Sequence, residues 1–244
     1  MANDRQRKEI RHEVLGVVFQ VRDDALQVLL WRRAQEPAAG AWSLPVGPLG
    51  AAETLEDAVA RHLATKVDVQ DLAHLEQLGT WSAVERMPRH RVVATAYLGL
   101  VPTTSDPDTP EDTAWHRADR LPLTAFDHGA VIAQALTRLR AKLAYTNIGF
   151  ALAPDEFTMA ALQRLYRAAL GREISVTNLQ RVLLRRNVLE ASGRVVAPGT
   201  SGGRPATCYR FRHHALEVTD AFPVLRPRRP HARETAEPPA RAPA

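Results

Sequence analysis

The sequence predicts a mixed α/β (α+β) protein made of two domains, and three features of the chain lead to that prediction. Residues 14–21 and 26–31 are β-rich apolar runs on either side of the turn Arg22-Asp23-Asp24, which indicates a β-hairpin. Further strands and two amphipathic helices follow, up to residue 143. Residues 145–212 then change in pattern to two short helices and a second hairpin.

The composition is that of an ordinary soluble globular protein. The 244 residues suffice for one large domain or two modest ones, and 45% of them are hydrophobic and 24% charged. Residues 1–12 are charged and are expected to be flexible. No long apolar run follows them, so we predict no signal peptide, no membrane span and a cytoplasmic protein. A single cysteine, Cys208, excludes an internal disulfide and a cysteine-based zinc site.

The charge is distributed unevenly along the chain. Residues 1–150 hold 17 Lys and Arg against 19 Asp and Glu, a balance of −2, whereas residues 151–244 hold 15 against 8, a balance of +7. This asymmetry indicates a nearly neutral domain joined to one that meets a polyanion. Part of the excess lies in residues 216–244, which we expect to form a disordered basic tail whose simplest role is to keep the protein soluble.

The first domain is predicted to hold two helices beside its strands. Thr54 can cap a helix of about a dozen residues, and residues 75–102 indicate strand, loop and strand. The second helix starts near His128 and runs to residue 143. Its apolar positions recur every four residues and are expected to face the core: Val131, Ala135, Leu139 and Leu143.

The second domain is predicted to be a helix-turn-helix followed by a hairpin. Thr158 and Ser175 can cap its two helices, and Gly171 is a typical stop residue for the first of them. The predicted elements are helices at 159–170 and 176–186 and strands at 194–197 and 207–211. This order is a DNA-binding arrangement in which the hairpin forms a wing.

The second of these helices has one apolar and one polar face. Leu179, Val182 and Leu183 are expected to pack inward. The polar residues left exposed suit base edges and phosphates, and Arg204 at the wing tip can reach a phosphate or the minor groove. The predicted DNA-binding residues are Thr177, Asn178, Gln180, Arg181, Arg185 and Arg204. Small α+β modules also bind proteins or RNA, so a binding adaptor is an alternative.

Residues 47–69 match a known signature except at the positions that would carry out chemistry. This stretch resembles the Nudix box. The residues that match its pattern are Gly47, Glu53, Arg61, Leu63 and Val69. Active members of that family place glutamates at three further positions, which share one face of a helix and gather Mg²⁺. Here those positions hold His62, Thr65 and Lys66, and Asp68 stands in place of a glycine.

The missing glutamates predict a Nudix fold kept for binding, with no catalytic residues and no metal site. Mg²⁺ prefers oxygen anions, and Lys66 puts a positive charge where the cation would sit. Two alternatives stay open. The match could be a chance similarity to a loop and an amphipathic helix, and a structural ion pair of Glu53 and Arg61 fits that case as well as a retained Nudix fold. A hydrolase could also use Glu53, Glu56 and His62 in an unusual metal site.

Taken together, residues 14–212 resemble the NrtR family, Nudix-related transcriptional regulators of bacterial NAD metabolism. The similarity lies in the order and spacing of several segments, among them TWSAVERMPRHRVVATAYL, AFDHGAVIAQAL and GRPATCYRF. The resemblance implies an N-terminal Nudix α/β/α sandwich at residues 13–143 and a C-terminal winged helix-turn-helix domain at residues 144–215. It also implies a homodimer that binds a near-palindromic double-stranded operator and represses genes of NAD biosynthesis or salvage.

The same resemblance implies ADP-ribose or a related NAD metabolite as the effector. Without a metal, binding of its diphosphate would need arginines, and Trp42 is available to stack on a ring. The predicted effector-binding residues are Arg33, Trp42, Arg61, Arg89, Arg91 and His128. Each has a plainer alternative, as a surface charge for the arginines, a core residue for Trp42 and a helix-terminal residue for His128. We expect no cofactor besides the effector.

Overall fold

The structure, a computed structural model, describes residues 10–88, 90–197 and 205–220. Within these residues, no helix is long and apolar enough to cross a membrane. The elements of the first domain are β1 (Arg11–Arg22), β2 (Ala25–Arg32), β3 (Trp42–Ser43), β4 (Val46–Pro48), α1 (Leu55–Val67), β5 (His74–Trp81), β6 (Val92–Leu100), β7 (Thr113–Arg117) and α2 (His128–Tyr145). A turn of 3₁₀ helix (Ile148–Ala151) leads to β8 (Phe157–Thr158), α3 (Met159–Leu170), α4 (Val176–Arg185), β9 (Leu189–Val196) and β10 (Ala206–Phe211).

The sheet of the first domain is organised around β1. This strand pairs antiparallel with β2 and parallel with β6, while β5 extends the sheet beyond β6. β3 and β7 pair with β2, and β4 pairs with the first part of β1. The predicted hairpin is confirmed. Its turn places Asp23 and Asp24 at φ angles of +50° and +57°, the left-handed conformation that tight hairpin turns require.

Alternate residues of β1 point to opposite faces of the sheet, and both faces are covered. Val14 and Val18 pack with Leu63 of α1 on one face. Val17 and Phe19 belong to the apolar cluster that includes the stripe of α2 on the other face. Helix, sheet and helix therefore form three layers, and the α/β/α sandwich implied by the family resemblance is confirmed.

The start of α1 is fixed by a capping box. Thr54 Oγ1 accepts a hydrogen bond from the backbone N–H of Asp57 at 3.1 Å, and the Asp57 carboxylate accepts one from the backbone N–H of Thr54 at 3.3 Å. The predicted cap is therefore confirmed. At the other end, Asp68 has a φ of +52°. This is left-handed backbone, which the glycine of the Nudix signature would adopt freely and Asp adopts at moderate cost.

The second domain has the predicted helix-turn-helix and hairpin. Thr158 and Ser175 accept hydrogen bonds from the first turns of α3 and α4, at 3.2 and 3.4 Å, as N-caps do. Two features differ from the expectation. β9 begins earlier than residue 194, because Leu189 is buried in the core, and β8 adds an unpredicted third strand beside β10. Residues 198–204 of the wing tip lie outside the described residues.

The two domains share one apolar core. Leu139 of α2 and Leu162 of α3 belong to the same buried cluster. Asn147, just beyond α2, holds the last described segment: its side chain donates to the carbonyl of Ala215 at 2.8 Å and accepts from the backbone N–H of Glu217 at 2.7 Å. Residues 216–220, assigned above to the tail, are thus bound at the end of α2. The domain limits themselves stay a prediction.

Replacing Leu139 with Ala tests the shared core. Leu139 is completely buried, so we expect Leu139→Ala to lower the free energy of unfolding by about 2–5 kcal/mol. Chemical denaturation followed by circular dichroism measures this change. The matched control is Leu123→Ala, because Leu123 is 82% exposed and its loss should change stability by less than about 0.5 kcal/mol. Equal effects of the two substitutions would contradict the assignment.

Candidate effector cleft and nucleic-acid interface

The Glu53–Arg61 pair closes the loop that precedes α1. Arg61 Nε and Nη2 donate to the two carboxylate oxygens of Glu53 at 2.9 and 2.5 Å, and the backbone N–H of Gly50 donates to the same carboxylate at 2.6 Å. These hydrogen bonds, with Arg61 as the main cause, lower the pKa of Glu53 to about 2. Both side chains are therefore engaged in holding the loop, which matches the structural alternative for this pair.

His62 occupies the space beside Gly47. A Cβ on Gly47 would lie 2.1 Å from Cε1 of His62, so only glycine lets the ring lie against β4. The ring Nε2 is 2.9 Å from the carbonyl oxygen of Pro48, to which it donates when protonated. Burial is the main cause that lowers the pKa of His62, so the ring is neutral at neutral pH.

Thr65 and Lys66 complete the helix face that carries glutamates in active Nudix enzymes. Lys66 Nζ donates to the carbonyl of Val46 and lies 5.1 Å from the centre of the Trp31 ring. Thr65 Oγ1 donates to the carbonyl of Arg61 at 2.8 Å. Burial lowers the pKa of Lys66. Within the described ranges, no group of three or more His, Cys, Asp or Glu side chains is arranged to hold a metal ion.

A cavity of about 240 Å³ opens beside the box. Val46, whose carbonyl binds Lys66, lies in its wall, so the cavity adjoins the face where the Nudix glutamates would stand. Two of the predicted effector residues, Arg33 and His128, line this cavity, together with Arg86. The cavity, which we call the cleft, has two arginines in its wall, together with the carboxylates of Glu13 and Glu36.

His128 presents a neutral imidazole to the cleft. Its Nδ1 accepts a hydrogen bond from the backbone N–H of Leu44 at 3.0 Å and lies 3.1 Å from Ser43 Oγ. Burial, together with the nearby positive charges of Arg86 and Arg33, lowers its pKa to about 3. Because Nδ1 accepts, the neutral ring carries its proton on Nε2, where it can act as a hydrogen-bond donor.

Arg33 lies over an aromatic ring in the cleft. Its guanidinium carbon is 5.0 Å from the centre of the Phe126 ring, and its Nε donates to the carbonyl of Pro37 at 3.0 Å. Phe126 has a φ of +51°, which is unusual for a large side chain and places its ring in the wall of the cleft. The Arg33 guanidinium is thus positioned by contacts that do not neutralise its charge.

Arg86 is a cleft residue that the sequence did not single out. Its side chain is 1% exposed, and it donates through Nε and Nη2 to both carboxylate oxygens of Asp127 at 2.8 and 3.0 Å. Arg89 and Arg91, which were predicted instead, are close to it in the sequence. Three arginines within six residues indicated a basic stretch, but nothing in the local sequence marked Arg86 as a residue that turns inward.

Two other predicted effector residues, Trp42 and Arg91, do not line the cleft. Trp42 packs edge-on against His116, with 4.2 Å between the ring centres, and does not line the cleft. Arg91 donates to the carbonyl of Ala83 at 2.8 Å and borders a neighbouring groove, which shares Met87 and His90 with the cleft. Arg89 lies outside the described residues. Of the predicted residues that the structure describes, it therefore brings together Arg33 and His128 in the cleft, and their role as ligand contacts stays a prediction.

α4 presents the polar surface expected of a recognition helix. Leu179 and Leu183 are buried, as predicted, whereas Val182 is only half-buried. Arg181 Nη2 donates to Asn178 Oδ1 at 2.7 Å, so these two exposed side chains form one unit. The other exposed candidates on this helix are Thr177 and Arg185.

Gln180 differs from the expectation of an exposed residue. It is half-buried, and its Nε2 donates to the hydroxyl of Tyr209 on β10 at 3.0 Å, because the wing folds back against this side of α4. On the wing, Arg210 and Arg212 pair with Glu190 at 2.8 and 3.2 Å. Arg204 lies outside the described residues.

Comparisons with known proteins agree with this architecture. Residues 11–136 match the NUDIX domain family, and residues 149–211 match the NrtR DNA-binding winged helix domain. The ADPR responsive transcriptional repressor NtrR of Acinetobacter baylyi is 33% identical over 205 residues, which are 80% of this chain and 79% of that protein. The chain belongs to the NrtR family.

Two crystal structures of NrtR from Shewanella oneidensis resemble this family member over most of its length. One is 33% identical, with a TM-score of 0.70, and the match covers 82% of this chain and 94% of the Shewanella chain. The other, complexed with a 27mer DNA, is 32% identical, with a TM-score of 0.68, and covers 82% and 93%. The family and fold expected from the sequence are therefore confirmed.

The buried neutral His128 predicts a pH dependence of stability for this NrtR-family chain. Its pKa is about 3 in the folded protein, against an ordinary value of about 6.5 when unfolded. At a pH between these two values, His128 is protonated in the unfolded chain and neutral in the folded protein. The stabilisation that comes from burying neutral His128 is therefore present in full above the pKa of the unfolded state. It is lost as the pH falls toward the pKa of the folded state.

We therefore expect the free energy of unfolding to fall more steeply with acidification in the wild type than in His128→Gln. The difference in slope should approach, at most, about 1.4 kcal/mol per pH unit. Urea denaturation at a series of pH values below neutrality measures both curves. Parallel curves for the two proteins would contradict the assignment.

Proposed function

We propose that this protein is a DNA-binding transcriptional repressor whose Nudix domain binds ADP-ribose or a related NAD metabolite and thereby weakens DNA binding. The observation that supports the proposal is that one chain contains both a Nudix domain and a DNA-binding winged helix domain. A relative named as an ADPR responsive transcriptional repressor aligns over 80% of the chain, and the polar face of α4 is exposed as DNA reading requires. The regulated genes are proposed to be those of NAD biosynthesis or salvage.

The surface of α4 supports sequence-specific binding. Arg181 is held by Asn178, so its guanidinium is presented in a fixed orientation, which suits bidentate contact with a guanine edge. Thr177 and Arg185 flank it on the exposed face and suit phosphate contacts. Two copies of α4 in a homodimer would read half-sites one helical turn apart, or a multiple of it, in a near-palindromic operator.

The chemistry of the cleft supports binding of a diphosphate without a metal ion. Arg33 and Arg86 supply positive charge beside the carboxylates of Glu13 and Glu36, and His128 supplies a neutral donor. We propose that the cleft does not hydrolyse its ligand, because His62, Thr65 and Lys66 each contact a backbone carbonyl where a hydrolase has carboxylates. Of the predicted effector residues, Arg33 and His128 have this support, whereas Trp42 and Arg91 have none from the cleft.

Arg181→Ala should weaken operator binding by about 1–3 kcal/mol and relax specificity at the contacted base. The reason is the loss of a bidentate contact that only one base pair offers. Fluorescence anisotropy with labelled operator and scrambled DNA at physiological salt measures both affinities. Arg120→Ala is the control, because it removes the same charge from an exposed position in the first domain. Equal wild-type affinity for operator and scrambled DNA would exclude a specific regulator.

ADP-ribose should lower the operator affinity of the wild type by about fivefold or more. Arg33→Ala should weaken ADP-ribose binding by roughly tenfold, because it removes a charge-assisted contact to the diphosphate. Calorimetry gives the ligand affinity, and anisotropy gives the effect on DNA. Specific DNA binding that ADP-ribose leaves unchanged would retain the regulator and discard this effector. Metal-dependent release of AMP from ADP-ribose would contradict the proposed lack of hydrolysis.

A further inference from the structure

Three consecutive residues at the start of α2 each hold one component of the cleft. Phe126 supports the Arg33 guanidinium, Asp127 binds Arg86, and His128 accepts from the backbone N–H of Leu44. A ligand that contacts the arginines or the imidazole therefore changes the contacts of these three residues. Phe126 lies in left-handed backbone, which costs a bulky residue free energy and is retained only while its surroundings hold it.

The Arg86–Asp127 pair is the strongest of these contacts. Two hydrogen bonds of 2.8 and 3.0 Å join the guanidinium to the carboxylate, and the Arg86 side chain is 1% exposed. The only other carboxylate within 4.0 Å of Arg86 among the described residues is that of Glu13, at 4.0 Å from Nη1. Arg86 lies in the wall of the cleft and Asp127 lies behind it, outside the lining, so an anion that enters meets a cation whose main partner is Asp127.

The opposite end of α2 is bonded to the DNA-binding domain. Arg186, which directly follows α4, donates to the carbonyl of Ala144 at 2.6 Å. The carbonyl of Tyr145 accepts from the backbone N–H groups of Thr219 and Asp220 at 2.9 and 3.0 Å. One continuous helix of 18 residues, about 27 Å long, thus connects the Arg86–Asp127 pair to the end of the recognition helix.

We propose that the Arg86–Asp127 ion pair senses occupancy of the cleft and that α2 carries this signal to α4. The inference rests on the proposed function and names the contact through which it operates. A diphosphate offers Arg86 the same bidentate geometry as a carboxylate, with more negative charge, and so competes with Asp127. Loss of the pair frees the first turn of α2, and the rigid helix transmits the shift to Ala144 and Arg186.

We expect Asp127 to be needed for the coupling between ligand and DNA but not for the binding of ADP-ribose itself. The coupling factor is the ratio of the operator Kd at saturating ADP-ribose to that without it. We expect Asp127→Asn to reduce this factor from the wild-type value to below about 2, while ADP-ribose still binds. Its operator affinity without ligand should already be shifted toward that of the ligand-bound wild type.

Asp119→Asn is the matched control. Asp119 also forms two hydrogen bonds with one arginine, Arg117, at 3.0 and 2.8 Å, but both side chains are 53% exposed and lie outside the cleft. Asp119→Asn should keep the wild-type coupling factor. Arg86→Lys provides a second route, because Lys keeps the charge but lacks the planar fork; it should also reduce the factor. Thermal denaturation establishes that each variant is folded before titration.

The outcomes separate this inference from the proposed function. A wild type whose operator affinity is unmoved by ADP-ribose would reject the effector role itself. Wild-type coupling that persists in both Asp127→Asn and Arg86→Lys would overturn the ion pair as the sensor and leave the proposed function intact. Loss of ADP-ribose binding in Asp127→Asn would also overturn it, because Asp127 would then hold Arg86 for the ligand instead of competing with it.

Discussion

The packing of α2 across the central sheet is the interaction on which both domains depend. Val131, Ala135 and Leu139 are completely buried there, and the same apolar cluster continues into Leu162 and Leu165 of α3. Because one core crosses the domain boundary, independent movement of the domains would expose apolar surface at a cost of about 25 cal/mol per Å². The orientation of the winged helix is therefore set by how α2 lies on the sheet.

The substitutions in the Nudix box change the charge on the face of α1 that lies beside the cleft. Three carboxylates would repel a diphosphate unless a metal ion stood between them. Here His62 is neutral at neutral pH, Thr65 carries no charge and Lys66 carries a positive one. The one remaining box carboxylate on pattern, Glu53, is neutralised by Arg61. The same substitutions thus remove the carboxylates that a metal ion would require and the negative charge that would oppose an anionic ligand.

Sequence predicted those parts of the structure that depend on neighbours along the chain. The caps Thr54, Thr158 and Ser175 were predictable because each accepts from a backbone N–H three residues later. Arg86 was not, because its partner lies 41 residues away and the loop contains other arginines that look equivalent in sequence. Gln180 was misplaced for the same reason. Helical periodicity puts it on the polar face, but its partner, the Tyr209 hydroxyl, is 29 residues further on.

The Gln180–Tyr209 hydrogen bond also bears on how a ligand could release DNA. It fastens α4 to β10, and Arg186 at the end of α4 binds α2, so recognition helix and wing are held to the same support. A shift of α2 would then move them together and leave the surface that reads each half-site unchanged. In a homodimer, such a rigid movement alters the separation of two intact reading surfaces. Release would follow because the half-site spacing of the operator is fixed by the DNA helix.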